Sequence, residues 1–123
     1  VTNFDLIKLC RRYSVMCIPG AFTPTEILAA WEAGADFVKV FPSSSVGPSY
    51  LKDILGPLPQ VRLTPTGGVN LQNAGDFIRA GASFVGAGSS LVKKDFVKEK
   101  RWDDLAELAS KFIQEVKAAR TRK

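Results

Sequence analysis

Phe37-Val-Lys-Val-Phe41, followed at once by Pro42-Ser-Ser-Ser45, reads as a short strand that runs out into a polar turn. Apart from its central lysine the run is β-branched and aromatic, and it is too short for a helix. Period-two alternation puts Phe37, Lys39 and Phe41 on one face and Val38 and Val40 on the other. Three other runs have the same character: Val15-Met-Cys-Ile18, Val61-Arg-Leu-Thr64 and Ser83-Phe-Val-Gly-Ala87. The four begin at residues 15, 37, 61 and 83, spaced by 22, 24 and 22 residues.

Helical patterns fill the gaps. Thr23-Pro24-Thr25 supplies a cap and an early proline for a helix over Glu26–Ala33, and Gly34 ends it. Tyr50–Leu55 is a shorter helix stopped by Gly56-Pro57, and Leu71–Ala80 is a third, ended by Gly81. Trp102 to about Ala119 is the longest, with Leu105, Leu108, Ala109, Phe112 and Val116 as its apolar stripe. Phe4–Arg12 forms a helix ahead of the first strand. One helix followed by four strand–helix units implies a parallel sheet with right-handed crossovers. An open doubly wound sheet and a (βα)₈ barrel both use that alternation, and four units make half of such a barrel.

Length and composition bound the rest. At 123 residues the chain is one domain, 1–123, whose last segment, 93–123, is a basic helix and tail. With 46% hydrophobic and 24% charged residues it is a folding chain, not a disordered one. No apolar run approaches the roughly 18 residues of a membrane span, so no membrane partner is expected. The sequence starts at Val1 and Met16 is its only methionine, so the initiator has been removed or the start is missing. With no basic-then-apolar leader, a cytoplasmic location is expected. Cys10 and Cys17 do not make a disulfide framework.

The absence of histidine excludes histidine-based zinc sites, Ser-His-Asp triads and Cys-His pairs within this sequence. Proton transfer must then use carboxylates, lysine, tyrosine, hydroxyls or water. From Lys93 onward there are ten basic and six acidic residues, which carry +4 of the net +5. The basic end, Arg120, Arg122 and Lys123, lacks the interleaved aromatics of a single-strand binder, so a solvated helix end is expected and no nucleic-acid partner.

Ligand sites in such α/β folds form at the C-terminal ends of the strands. Glycines and hydroxyls gather at all four: Pro19-Gly-Ala-Phe-Thr23, Pro42-Ser-Ser-Ser45, Pro65-Thr-Gly-Gly68 and Gly86-Ala-Gly-Ser-Ser90. Gly67-Gly68 and Gly88-Ser89 follow consecutive strands. Glycine lets backbone N–H groups close on an anion, and Ser89 adds a hydroxyl donor. Tight turns that merely need glycine are the plainer alternative. Lys39 is the second signal. If Val38 and Val40 pack on helices, Lys39 faces the interior. Burying an ammonium is costly, so such a lysine is driven toward the neutral amine, which attacks carbonyls. A strand-end lysine that reaches water is the alternative.

Ile18-Pro-Gly-Ala-Phe-Thr-Pro-Thr-Glu26, Phe37-Val-Lys-Val-Phe-Pro42, Gly56-Pro57, Val61-Arg-Leu-Thr-Pro-Thr-Gly-Gly-Val69 and Gly88-Ser-Ser-Leu-Val92 closely resemble the 2-keto-3-deoxy-6-phosphogluconate / 4-hydroxy-2-oxoglutarate aldolase family. The likeness runs from about residue 4 to the last helix. It implies four βα units of a (βα)₈ barrel, strands 5 to 8, from the C-terminal half of a metal-free and cofactor-free class I aldolase. The implied reaction cleaves 2-keto-3-deoxy-6-phosphogluconate to pyruvate and glyceraldehyde 3-phosphate. By the same likeness Lys39 is the Schiff-base lysine, and Phe41 packs beside the imine. Thr66, Gly67 and Gly68 form one substrate loop, and Gly88 and Ser89 the other. Arg62, on the face of Lys39 by alternation, is expected near it, where it would help keep the amine neutral. Ser43-Ser-Ser45 replaces a more usual alanine-containing stretch.

The likeness also implies a general acid/base glutamate and a nearby arginine on the family's second strand. Nothing here corresponds to them: Glu26 and Glu32 lie on the first strand–helix unit, and Glu99, Glu107 and Glu115 in the last segment. The chain is therefore expected to be a piece of a full enzyme or an isolated half-barrel, with doubtful turnover of its own. The rival expectation is a non-catalytic phosphate-binding scaffold. The partners implied are a keto acid, a phosphorylated aldehyde and further copies of the chain: a trimer for a full barrel, a dimer for a half.

Overall fold

The computed structural model describes residues 1–121, so Arg122 and Lys123 of the expected basic tail lie outside the described residues. The chain runs α1 (Phe4–Arg12), β1 (Gly20–Ala21), α2 (Pro24–Glu32), β2 (Val38–Val40), α3 (Gly47–Leu55), β3 (Leu63–Pro65), α4 (Ala74–Arg79), α5 (Lys94–Lys98) and α6 (Trp102–Thr121), with a 3₁₀ turn at Ser43–Ser45. The strands form one parallel sheet in the order β1-β2-β3. Lys39 pairs with Gly20 on one side and Thr64 on the other. This corrects the expected architecture. The chain is a small α/β domain with three parallel strands, not four βα units of a (βα)₈ barrel.

Two prolines account for the difference. In a parallel ladder each residue's carbonyl accepts from, and its N–H donates to, alternate residues of the neighbour. Ser83 N–H donates to the Leu63 carbonyl at 2.8 Å, and a regular ladder would return the Ser83 carbonyl to the N–H of residue 65. That residue is Pro65, which has none. The expected fourth strand is reduced to a single parallel bridge, Thr66 to Gly86. Side chains take the carbonyls left over: Arg120 donates to Ser83 O at 2.6 Å, and Thr64 Oγ1 to Phe84 O at 3.0 Å. Pro19 does the same at the other edge. The first strand, expected over Val15–Ile18, begins only at Gly20. Before it, the Cys17 N–H bonds the Asp36 carboxylate at 2.8 Å.

The helices cover one face of the sheet. Val38, Val40, Leu63 and Pro65 are fully buried there, in a core with Ile7, Ile27, Leu51, Ile54 and Phe77. The α2 start is a capping box: Thr23 Oγ1 accepts from Glu26 N–H, and the Glu26 carboxylate accepts from Thr23 N–H at 2.8 Å. The opposite face carries Phe37, Lys39, Phe41, Arg62, Thr64 and Thr66. No helix among the described residues is long and apolar enough to cross a membrane.

Candidate functional site

Lys39 leaves β2 on the face away from the helices, between Gly20 and Thr64. Its side chain is half-buried. Gly20 makes room for it: a Cβ there would lie 3.2 Å from Lys39 Cε and 3.7 Å from Nζ. The Nζ stands 5.4 Å from the centre of the Phe41 ring. Phe41, 52% exposed at the end of β2, is the wall between two cavities. One, of about 390 Å³, is lined by Gly20, Ala21, Phe22 and Glu26. The other, of about 320 Å³, is lined by Thr66, Gly67, Gly68, Gly88 and Ser89, with Val69, Asn70 and Ser90.

The structure brings Lys39, Phe41 and the two glycine loops together, but not Arg62. Phe41, Thr66, Gly67, Gly68, Gly88 and Ser89 share a cavity, and Lys39 adjoins it across the Phe41 ring. Local chemistry explains the loop shapes. Gly67 and Gly68 have φ of +85° and +75°, where side chains are strained. A Cβ on Gly68 would sit 2.5 Å from Ser44 Cβ. Ser43-Ser-Ser45 braces this approach, since Ser43 N–H donates to Thr66 O at 2.9 Å and Ser43 Oγ to Val40 O at 2.8 Å. Among the described residues, the N–H groups of Gly68, Val69, Gly88 and Ser89 donate to no protein acceptor. Unpaired N–H groups around a concave site suit an anion.

Arg62 shares the face of Lys39 one rung away, but its guanidinium lies over the rings of Phe37 and Trp31, 4.8 and 5.3 Å from their centres. Glu26 is the carboxylate that sequence reading left on a helix. Its side chain reaches back to the end of β1, where Oε2 accepts from Thr23 N–H, from Phe22 N–H at 3.0 Å and from Thr23 Oγ1. Those hydrogen bonds, led by the Thr23 backbone, hold its pKa below the ordinary carboxylate value. Tyr50, also unforeseen, donates to Phe22 O at 2.8 Å and stacks on the Phe22 ring, fixing this loop to α3. Elsewhere, burial and the neighbouring Cys10 push the Cys17 thiol up. Among the described residues, no three His, Cys, Asp or Glu side chains gather to hold a metal ion.

Parallel strands thus set a half-buried lysine beside a glycine-lined cavity in a small α/β protein. Comparison with known proteins makes this specific. The model of the family described as KDPG and KHG aldolase matches residues 2–108. A 2-dehydro-3-deoxy-phosphogluconate aldolase of Haemophilus influenzae is 33% identical over 116 residues, covering 94% of this chain and 55% of that protein. A solved structure described as native KDPGal superposes with a TM-score of 0.86 at 32% identity, over 97% of this chain and 56% of that one. The KDPG aldolase of Legionella pneumophila, solved with pyruvate captured as a covalent carbinolamine, gives a TM-score of 0.76 at 30% identity, over 84% of this chain and 50% of that one. The chain belongs to the KDPG and KHG aldolase family. It spans about half the length of the curated relatives it matches.

Proposed function

We propose that this chain carries the imine-forming lysine and the phosphate cradle of a class I aldolase acting on 2-keto-3-deoxy-6-phosphogluconate. The observation that carries the reading is Lys39 itself, in mid-strand on the uncovered face, with one aromatic ring between its amine and a cavity edged by unpaired N–H groups. Family membership and the relative that holds pyruvate as a carbinolamine support it.

In this reading the Lys39 amine adds to the 2-keto carbon, and the carbinolamine loses water to give the iminium. A base takes the proton of the C4 hydroxyl, and the C3–C4 bond breaks. Its electron pair flows into the iminium to leave an enamine and glyceraldehyde 3-phosphate. Protonation of the enamine carbon and hydrolysis of the resulting imine release pyruvate and return the amine. The loops at Thr66–Gly68 and Gly88–Ser89 hold the phosphate. Phe41 closes the apolar side of the imine.

The test is reductive trapping. Incubated with pyruvate and borohydride, the protein is expected to gain one pyruvyl group, located on Lys39 by peptide mass analysis. Lys39→Arg keeps the charge but cannot form the imine, so it should abolish the adduct. Label on Lys52 or the lysines of α5 and α6, with none on Lys39, would remove the assignment.

A further inference from the structure

The Gly67-Gly68 turn is held from behind by a residue outside the cavity lining. Asn73, immediately before α4, donates from Nδ2 to the Gly68 carbonyl at 2.9 Å. Its Oδ1 accepts from the Asn70 N–H at 2.8 Å. Asn70 Oδ1 in turn accepts from the N–H groups of Gln72 and Asn73, both at 3.0 Å. Ser90, from the opposite loop, donates its hydroxyl to the Val69 carbonyl. The carbonyls of Gly68 and Val69 are thus each tied by a side chain, while the N–H groups of the same two residues are left without a protein acceptor among the described residues.

A peptide unit is planar, so fixing a carbonyl fixes the N–H that shares its plane, pointing the opposite way. Tying Gly68 O therefore holds the Val69 N–H on the side away from Asn73. Glycine lacks a Cβ to limit its backbone, and two in succession at positive φ leave this turn free to flip its peptide planes unless something outside it prevents that. Asn73 has the donor for the carbonyl and the acceptor for the next N–H but one.

We infer that Asn73 is the positioning residue of the anion site: by holding the Gly68 carbonyl it pre-orients the Val69 N–H toward a phosphate monoester. The inference rests on the phosphate reading above and adds to it the group that sets affinity without touching the ligand. Preorganised donors bind an anion without the cost of ordering a loop, so releasing the turn weakens binding even though every contacting atom remains.

The experiment titrates inorganic phosphate into the 123-residue protein, followed by amide chemical shifts, for the native chain, Asn73→Ala, Asn73→Asp and Gly88→Val. Asn73→Ala should weaken phosphate about three- to tenfold, the range of one hydrogen bond. Asn73→Asp keeps the acceptor for Asn70, loses the donor and adds a like charge behind the ligand, so it should weaken phosphate further. In both variants the Gly68 and Val69 amide shifts should move before phosphate is added, while pyruvate trapping on Lys39 changes less than twofold. Binding that Gly88→Val abolishes but both Asn73 variants retain at native strength overturns this inference and leaves the phosphate reading standing. No response of the native chain to phosphate overturns both. A fall of more than ten degrees in unfolding temperature, or trapping lost in step with phosphate, makes Asn73 a fold residue and also overturns it.

Discussion

Gly67 and Gly88 border one cavity but are glycines for different reasons. Gly67 sits at φ +85°, and a Cβ there would press on the Phe41 ring at 3.2 Å. Gly88, which lines the cavity, has only open space within 4 Å of where its Cβ would be. Gly88→Val should therefore block an anion with little change in stability. Gly67→Val should lose the anion and also about 1–2 kcal/mol of stability to backbone strain. Ser89→Ala removes one hydroxyl donor, about 0.5–1.5 kcal/mol net, and should weaken phosphate only a few-fold. Phosphate titrations and thermal melts of the three variants separate these effects, and equal affinity in all three would place the anion elsewhere. The residues that line this site were legible in the sequence because glycine and hydroxyl runs at strand ends are local signals. The hydrogen-bonding roles of Asn73 and Glu26 were not. Asn73 falls inside the helix expected over Leu71–Ala80, which begins only at Ala74, so its hold on the Gly68 carbonyl left no trace in the pattern, and Glu26 was read only as a helix residue, not as an acceptor for the backbone of Phe22 and Thr23.

Among the elements, α1, α2 and α6 lie close to where their sequence signals put them, whereas α4 is shortened to Ala74–Arg79, α5 was not expected and the sheet departs further. α1 occupies Phe4–Arg12 as its pattern predicts, and Thr23 caps α2 as expected, with Glu26 completing a capping box that the sequence reading did not include. Hydrophobic periodicity located β2 and β3 but missed β1, because periodicity is blind to whether a neighbour can donate. Pro19 and Pro65 each withhold one N–H, so the outer runs lie against the sheet without completing a ladder. The last helix repairs one of these gaps. Arg120, expected to be part of a solvated basic end, spends its guanidinium on Ser83 O. Arg120→Ala should therefore destabilise the fold by about 1 kcal/mol, the scale of one partly exposed hydrogen bond. For a chain of this length that is a fall of about 3–5 °C in melting temperature. Arg120→Lys can still donate and should recover much of the loss. An unchanged melt in Arg120→Ala would mean that water serves the carbonyl equally well.

At the scale of the whole molecule, binding pyruvate and turning over substrate make different demands, and the chain is equipped unequally for them. Imine formation needs an amine beside a carbonyl pocket, the role proposed for Lys39 and Phe41. Carbon–carbon cleavage also needs a group to take the C4 hydroxyl proton, and a positioned acid/base commonly contributes about 10²–10⁴-fold. The carboxylate at these strand ends is Glu26, and its Oε2 already accepts three hydrogen bonds from Phe22 and Thr23. Those bonds stabilise the anion and lower its proton affinity, so at neutral pH it is an ionised cap and a weak base. The 123-residue chain is therefore expected to trap pyruvate on Lys39 yet cleave 2-keto-3-deoxy-6-phosphogluconate about 10²–10⁴-fold more slowly than a full-length relative. The measurement is pyruvate release under single-turnover conditions, normalised to the rate of borohydride trapping, with the Haemophilus influenzae aldolase alongside. Equal normalised rates would show that a base is present after all. Glu26→Gln would then decide whether it is Glu26: a fall in cleavage with trapping retained would assign it, and no change would leave water as the proton acceptor.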